Sequence, residues 1–399
     1  MRAKDSRPFE GTSRQSCLGA GARGSQLALF LAGFGAFLNL YAPQPLLPLF
    51  RQLFHASELE ASLTISASVL AVAVTAPFTG FVADRLGRKG VILTALVGLG
   101  LTTAAASTAS TLPGLIGWRF LQGACIPGIL AVTMAYISEE APREAVGSIM
   151  ARYITGGVLG GFAGRFLSGL LAASWGWQAG FLLLGASTLL CALGVGVFLP
   201  RSAHFERQST ALFQALGRHL RNPQLLATYA VGFNVLLTIV AAFTYINFYL
   251  ADSPFRLGPT ALSSIFSVYL IGAAITPSAG RLIDRIGYRR ALISAVGVSG
   301  FGMLLTLIPL VPVIIAGLAL LASGVFVSQA AATTQVGQVA GHARSAAAGL
   351  YLSLYYLGGA VGSVLPGFVW ARLGWPGCVA FVVTMQGVMA GIAYTRWTD

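Results

Sequence analysis

Arg119 and Arg165 lie well inside apolar stretches of this 399-residue chain. A guanidinium costs about 2.5–3.5 kcal/mol at the centre of a bilayer and less nearer its edge. Two uses could justify that cost. Each fork could bond backbone carbonyls or snorkel outward as a structural fixture, or it could hold an anionic group of a ligand. Arg119 falls about seven residues into its stretch and Arg165 about seven before the end of the next, antiparallel one. Both should therefore sit at similar depth in the outer half of the membrane. No acid accompanies them, because all 12 Asp and Glu residues lie in tails, loops or span edges. A proton, if coupled, must act at a span edge or on the solute itself.

Other chemistries are excluded by what the chain lacks. It has no histidine within a span, no paired carboxylates inside one, and no G-x-x-x-x-G-K-[ST] nucleotide loop. Cys17, Cys125, Cys191 and Cys378 show no metal spacing and read as small apolar residues. Neither an ATP-driven pump nor an intramembrane enzyme is expected, and neither cofactor nor metal. The driving force must come from a gradient.

Polar residues at helical spacing mark further candidate positions. Gln122, Ile126, Thr133 and Tyr136 continue the face begun by Arg119. Asn234, Thr238, Tyr245 and Tyr249 share another face, Gln329 and Thr333 a third, and Tyr41 and Gln44 lie three apart on the first stretch. Such residues either touch solute or hydrogen-bond between helices.

The elements that must position these groups follow from composition. The chain is 56% hydrophobic and only 9% charged, against roughly a quarter charged in soluble domains. Twelve apolar stretches result, each near or above the ~20 residues needed to cross the hydrocarbon core. They run over 25–50, 61–83, 90 to about 109, 113–138, 147–171, 177–199, 223–250, 258–282, 289–308, 312–339, 345–371 and 374–394. The expected organisation is a polar tail (1–25), a first six-helix bundle (26–200), a linker (201–222) and a second six-helix bundle (223–396). The net charge of +13 is spread over short loops, which speaks for membrane topology rather than nucleic acid. Placing both termini in the cytoplasm puts 20 of the 25 Lys and Arg on that side and three, Arg51, Arg256 and Arg372, outside.

Two internal repeats support a duplication. Gly80-Phe-Val-Ala-Asp84-Arg85-Leu-Gly87-Arg88-Lys89 recurs 200 residues on as Gly280-Arg-Leu-Ile-Asp284-Arg285-Ile-Gly287-Tyr288-Arg289. Gly160, Gly161, Gly164, Gly169 and Gly176-Trp177 recur as Gly358, Gly359, Gly362, Gly367 and Gly374-Trp375, displaced by 198. Small residues at this spacing let helices approach closely. Their presence in both halves points to a shared sliding interface.

The G-x-x-x-D-R-x-G-R-[KR] turn resembles the signature between the second and third helices of the major facilitator superfamily. It is intact in the first half and departs at Tyr288 in the second. The resemblance implies an all-α membrane protein of twelve helices in two pseudo-symmetric six-helix bundles. It also implies that helices one, four, seven and ten line a central cavity, which makes Tyr41, Gln44, Arg119, Gln122, Asn234, Thr238, Tyr245, Gln329 and Thr333 cavity candidates, with Arg165 beside them. Arg119-Phe-Leu-Gln122-Gly123 is similar to the fourth-helix R-x-x-q-G motif, whose arginine is linked to the transport cycle.

Tyr41-Ala-Pro-Gln-Pro-Leu-Leu-Pro48, Gly160-Gly-Phe-Ala-Gly-Arg165 and Leu350-Tyr-Leu-Ser-Leu-Tyr-Tyr-Leu-Gly358 resemble the bacterial arabinose-efflux-permease-like branch. The helix-five Gly-Pro pair of drug–proton antiporters is absent, since Phe162 follows Gly161. The expectation is a monomeric secondary transporter of the bacterial inner membrane, exporting a small solute such as an organic anion or a drug-like or sugar-like compound. Its partners are the solute, the lipid bilayer and, as candidate coupling ion, the proton. A solute importer on the same fold is the alternative, and a non-transporting sensor or scaffold the alternative of another class. Gly80, Asp84, Arg85, Gly87 and Arg88, with Gly280, Asp284, Arg285, Gly287 and Arg289, are the expected gating loops. Asp84 should face the helix start near Ser345, Asp284 the one near Gly147, with Arg85 and Arg285 pinning the carboxylates.

Overall fold

The computed structural model describes residues 23–142, 144–202, 221–339 and 344–397, except the side chains of 276–279, 282, 284 and 344–346. The tail expected over 1–25 and the linker over 201–222 therefore lie mostly outside the described residues, as do the side chains of Asp284 and Ser345.

The first apolar stretch is not one helix. It folds as α1 (Arg23–Leu40), a 3-10 turn (Gln44–Leu46) and α2 (Leu47–Leu53). Pro43, Pro45 and Pro48 remove the amides that a continuous helix would need. The carbonyls at the end of α1 are thereby left without helical partners. Next come α3 (Glu58–Leu86), α4 (Arg88–Ala106), α5 (Leu112–Glu140), α6 (Val146–Trp175) and α7 (Trp177–Phe198). The second half has α8 (Pro223–Ala251), α9 (Pro259–Ile265), α10 (Val268–Ile286), α11 (Tyr288–Leu305), α12 (Val311–Val339) and α13 (Arg344–Arg396). The eighth expected span is thus broken between α9 and α10. α13 spans 53 residues and turns at Gly374 (φ 58°, ψ −146°), enough length for two crossings.

Among the described residues, nine helical stretches qualify by length and apolarity as membrane-crossing, the 50-residue one being α13. The architecture is consistent with twelve crossings. Helices suit this setting because they satisfy their own backbone groups where no water is available.

The motif glycines are explained by backbone geometry. Gly87 and Gly287 join α3 to α4 and α10 to α11 at φ 80° and 85°, a region costly to any residue with a Cβ. Inside each half, α1 packs on α6 and α8 on α13, the members of each pair occupying corresponding places. A Cβ on Gly160 or Gly164 would overlap the carbonyls of Phe34 or Leu38, and one on Gly358 or Gly362 those of Phe233 or Leu237. The glycine stripe therefore fastens helices within each half. Some of its members also reach across: Gly169 meets Pro259 and Ser263, Gly359 meets Val69, and Gly367 meets Leu59.

The two halves touch through α3 against α13 and α6 against α9 and α10. The cross-half contacts named here cluster toward one end. The Ser66 hydroxyl donates to the Ala360 carbonyl (3.1 Å). At that end the Arg51 guanidinium forks onto the Asp252 carboxylate of the second half (2.6 and 3.1 Å) while also bonding Glu58 (2.9 Å). None of these cross-half contacts falls at the opposite end, where Asp84 pairs with Arg88 of its own half. By these contacts the molecule is closed at the Arg51 end; the Asp84 end, where none of them falls, is called the open end.

Candidate functional site

Arg119 is spent on structure. Its Nε donates to the Thr64 carbonyl (3.0 Å), Nη1 to the Asn39 carbonyl (3.0 Å) and to Gln122 Oε1, and Nη2 to the Leu40 carbonyl (2.5 Å). Asn39 and Leu40 end α1, so the guanidinium caps the carbonyls that the proline break releases. Gln122 is consumed with it and lies fully buried. The structure thus engages Arg119 and Gln122 within the first half, where four of the five N–H groups of the fork are answered.

Arg165 has a different environment. Its Nε donates to Gln44 Oε1 (2.8 Å) and its Nη1 to the Gly161 carbonyl (2.7 Å). Three aromatic rings surround the guanidinium carbon: Tyr41 at 4.7 Å, Tyr269 at 4.7 Å and Phe266 at 5.2 Å. Phe266 and Tyr269 belong to the second half, so this cage forms across the interface beneath the closed end. Arg165 is only 5% exposed, yet among the described residues no carboxylate pairs with it and Nη2 has no hydrogen-bond partner. The Tyr41 hydroxyl and Gln44 Nε2 are likewise buried without partners. A buried cation without a carboxylate, beside two orphaned donors, is an arrangement that an anion would complete.

The remaining candidates divide. Tyr245 is fully buried, donates to the Ser363 carbonyl (3.1 Å) and packs on Phe248 and Trp370; it belongs to the seal, not to a cavity wall. Thr238 is buried and returns its hydroxyl to Asn234 in its own helix (2.9 Å). Asn234 donates to the Ala230 carbonyl (2.9 Å) and leaves Oδ1 unpaired. Gln329 and Thr333 bond each other (3.3 Å), and the Tyr351 hydroxyl donates to Gln329 Oε1 (3.2 Å). The structure therefore joins Tyr41, Gln44 and Arg165 in one cluster and Gln329 with Thr333 in another.

Sequence reading missed Tyr269, Phe266, Tyr351 and Tyr355 as site residues. Only the run Tyr351–Tyr356 offered a signal, three tyrosines in six positions of an otherwise apolar helix. It also missed the Arg51–Asp252 link, because the two positions are 201 residues apart.

The loops at the open end are built differently from expectation. Asp84 pairs with Arg88 (3.2 Å), which also forks onto Glu139 (2.8 and 3.1 Å). Arg85 instead lies over the Phe81 ring at 4.1 Å, correcting the expectation that it holds Asp84. In the second half Tyr288 replaces Arg88, and its hydroxyl accepts from Gln338 (2.5 Å) where the first half has Glu139. The departure from the motif is matched by its partner: a charged pair in one loop, a neutral pair in the other.

Fold and site together define a polytopic helical membrane protein of two related halves with a buried cation where they meet. The family model of the Major Facilitator Superfamily matches residues 29–363 and 253–397, and the chain belongs to that superfamily. It is 34% identical over 373 residues to the inner membrane transport protein YnfM of Escherichia coli, covering 93% of this chain and 89% of that one. An uncharacterized transporter of Buchnera aphidicola is 34% identical over 360 residues, covering 90% and 87%. The multidrug resistance protein MdtG of Yersinia enterocolitica is 28% identical over 295 residues, covering 71% and 70%. A bacterial homologue of the human lysosomal transporter Spinster, solved inward-facing and occupied, shares the fold with a TM-score of 0.76 at 14% identity, covering 93% and 96%.

Proposed function

We propose that this transporter moves a small organic anion across the bacterial inner membrane by alternating access, with Arg165 as the anchoring cation. The observation that carries the reading is the buried Arg165 guanidinium, which lacks a carboxylate partner and has unpaired Tyr41 and Gln44 donors beside it. The cage exists only while Phe266 and Tyr269 of the second half lie against the first. Opening the Arg51 end would strip these rings away and admit water to the cation. An anion that completes the site stabilises the closed arrangement by its differential affinity and no more.

Export is favoured over uptake by the MdtG-like relative and by the branch resemblance of the sequence. The Asp84 end is assigned to the cytoplasm from the distribution of Lys and Arg, with both termini on that side. On this assignment the open end faces inward. The Gly80–Arg88 and Gly280–Arg289 loops then act as the cytoplasmic gate, tightening when the cavity turns outward.

The test is solute uptake into inverted membrane vesicles, comparing a panel of carboxylates with their neutral amides. Saturable accumulation of carboxylates, lost in Arg165→Gln, is expected. Accumulation of the amides with equal efficiency would remove the anion from the reading.

A further inference from the structure

The anchoring cation is enclosed in a way that restricts its ligand. Tyr41, Tyr269 and Phe266 surround its carbon, and two of its nitrogens are bonded to Gln44 and Gly161. Nη2 and the second N–H of Nη1 remain to receive a ligand. These two nitrogens face one way and suit the two oxygens of one carboxylate, whose single negative charge the guanidinium balances. The Tyr41 hydroxyl and Gln44 Nε2 can serve the same oxygens.

What surrounds that charge is aromatic. Tyr355 is half-buried and lies within electrostatic range of Tyr41 and Tyr269. Its ring stacks on Tyr351 (5.9 Å between centroids, 23° between planes) and meets Tyr356 edge-on (5.4 Å, 87°). Tyr351 in turn lies against Gly232 and reaches Gln329. Two groups of rings therefore lie near one another, the Arg165 cage and the Tyr351–Tyr355–Tyr356 stack that reaches Gln329, and Tyr269 and Tyr355 are their partly exposed members.

Resting on the anion reading above, we infer that this site takes a planar aromatic monocarboxylate, its carboxylate on Arg165 and its ring against Tyr355 and Tyr269. Tyrosine faces reward a flat π-surface beyond its apolar area, and edge-to-face or offset stacking requires planarity. A saturated ring of equal size buries the same area without that gain. The donors beside Arg165 discriminate acid from amide, and the tyrosine rings discriminate flat from puckered.

The experiment is calorimetric titration of the purified full-length protein with 1-naphthoate, 1-naphthamide and decahydro-1-naphthoate. Naphthoate should bind about tenfold more tightly than its saturated analogue, the upper end of what one aromatic pair supplies. The amide should give no measurable binding. In Tyr355→Leu the preference for the flat acid should shrink to about twofold while the saturated acid binds as before. Equal affinity of the two acids for the wild type overturns the aromatic assignment and leaves the anion reading intact. Binding of the amide as tight as that of the acid, or binding of neither acid, overturns both. An unchanged preference in both Tyr355→Leu and Tyr269→Leu overturns the placement of the ring.

Discussion

Two arginines of similar sequence context have opposite surroundings. Arg119 is held by carbonyls of Thr64, Asn39 and Leu40, and Arg165 by one amide, one carbonyl and three rings. Lysine keeps the charge at either site but loses the planar fork. At Arg119 the loss falls on folding: a charged hydrogen bond contributes roughly 1.5–3 kcal/mol. Arg119→Lys should lower the melting temperature of the purified protein while the folded fraction keeps its solute affinity. Arg165→Lys should show the reverse, with affinity for a carboxylate reduced at least about tenfold and the melt little changed. Parallel melting and equilibrium binding of both variants separate the two roles. Shared loss of stability without loss of affinity would make both residues structural. The sequence placed both arginines correctly inside spans. It did not show that Pro43 and Pro45 end α1 early and so supply the carbonyls that occupy Arg119.

Among elements, the informative pairs are α1 with α6 and α8 with α13. Gly164 and Gly362 occupy equivalent positions, and each faces a carbonyl of the partner helix, Leu38 or Leu237. A backbone carbonyl cannot rotate aside as a side chain can, so any larger residue must push the helices apart. Gly164→Leu and Gly362→Leu should each sharply reduce the yield of monodisperse protein in size-exclusion chromatography. Gly147→Ala, at the open mouth where a Cβ meets nothing, should leave the profile unchanged. If the two leucine variants purify like the parent, these contacts are not the fasteners described here. The stripe was legible as a repeat displaced by 198 residues, but its direction was not. Spacing identifies a small-residue face and does not say which neighbour it meets.

At the scale of the whole molecule, the bidentate contact of Arg51 with Asp252 ties the halves together at the closed end. The pair is partly exposed, with side chains 20% and 46% accessible, so its direct contribution is modest, typically within ~1 kcal/mol. Its importance is positional, because it exists only when that end is shut. Cysteines at 51 and 252, in a background without Cys17, Cys125, Cys191 and Cys378, can be joined by a short cleavable bis-thiol reagent. Transport should fall to about a tenth or less, since the bridged state excludes its alternative, and cleavage should restore it. In intact cells an impermeant thiol reagent should reach position 252 and not one at 211. Labelling at 211 alone would reverse the assigned orientation, and undiminished transport in the bridged protein would show that this end does not open.

What the sequence determined by itself is what depends on composition and local pattern. Apolar length specifies helices that cross a bilayer, and duplicated motifs specify two related halves. Gly87 and Gly287 can be read as turns because the backbone there requires a positive φ. What only the tertiary structure decided depends on residues brought together from distant parts of the chain. The cage around Arg165 draws on Tyr41, Phe266 and Tyr269, and the closed end on Arg51 and Asp252. Helical periodicity indicates which face a side chain shares, but the fate of a buried charge is set by the neighbours that meet that face. For Arg119 these were carbonyls, and for Arg165 one amide, one carbonyl and three rings, with no carboxylate among them.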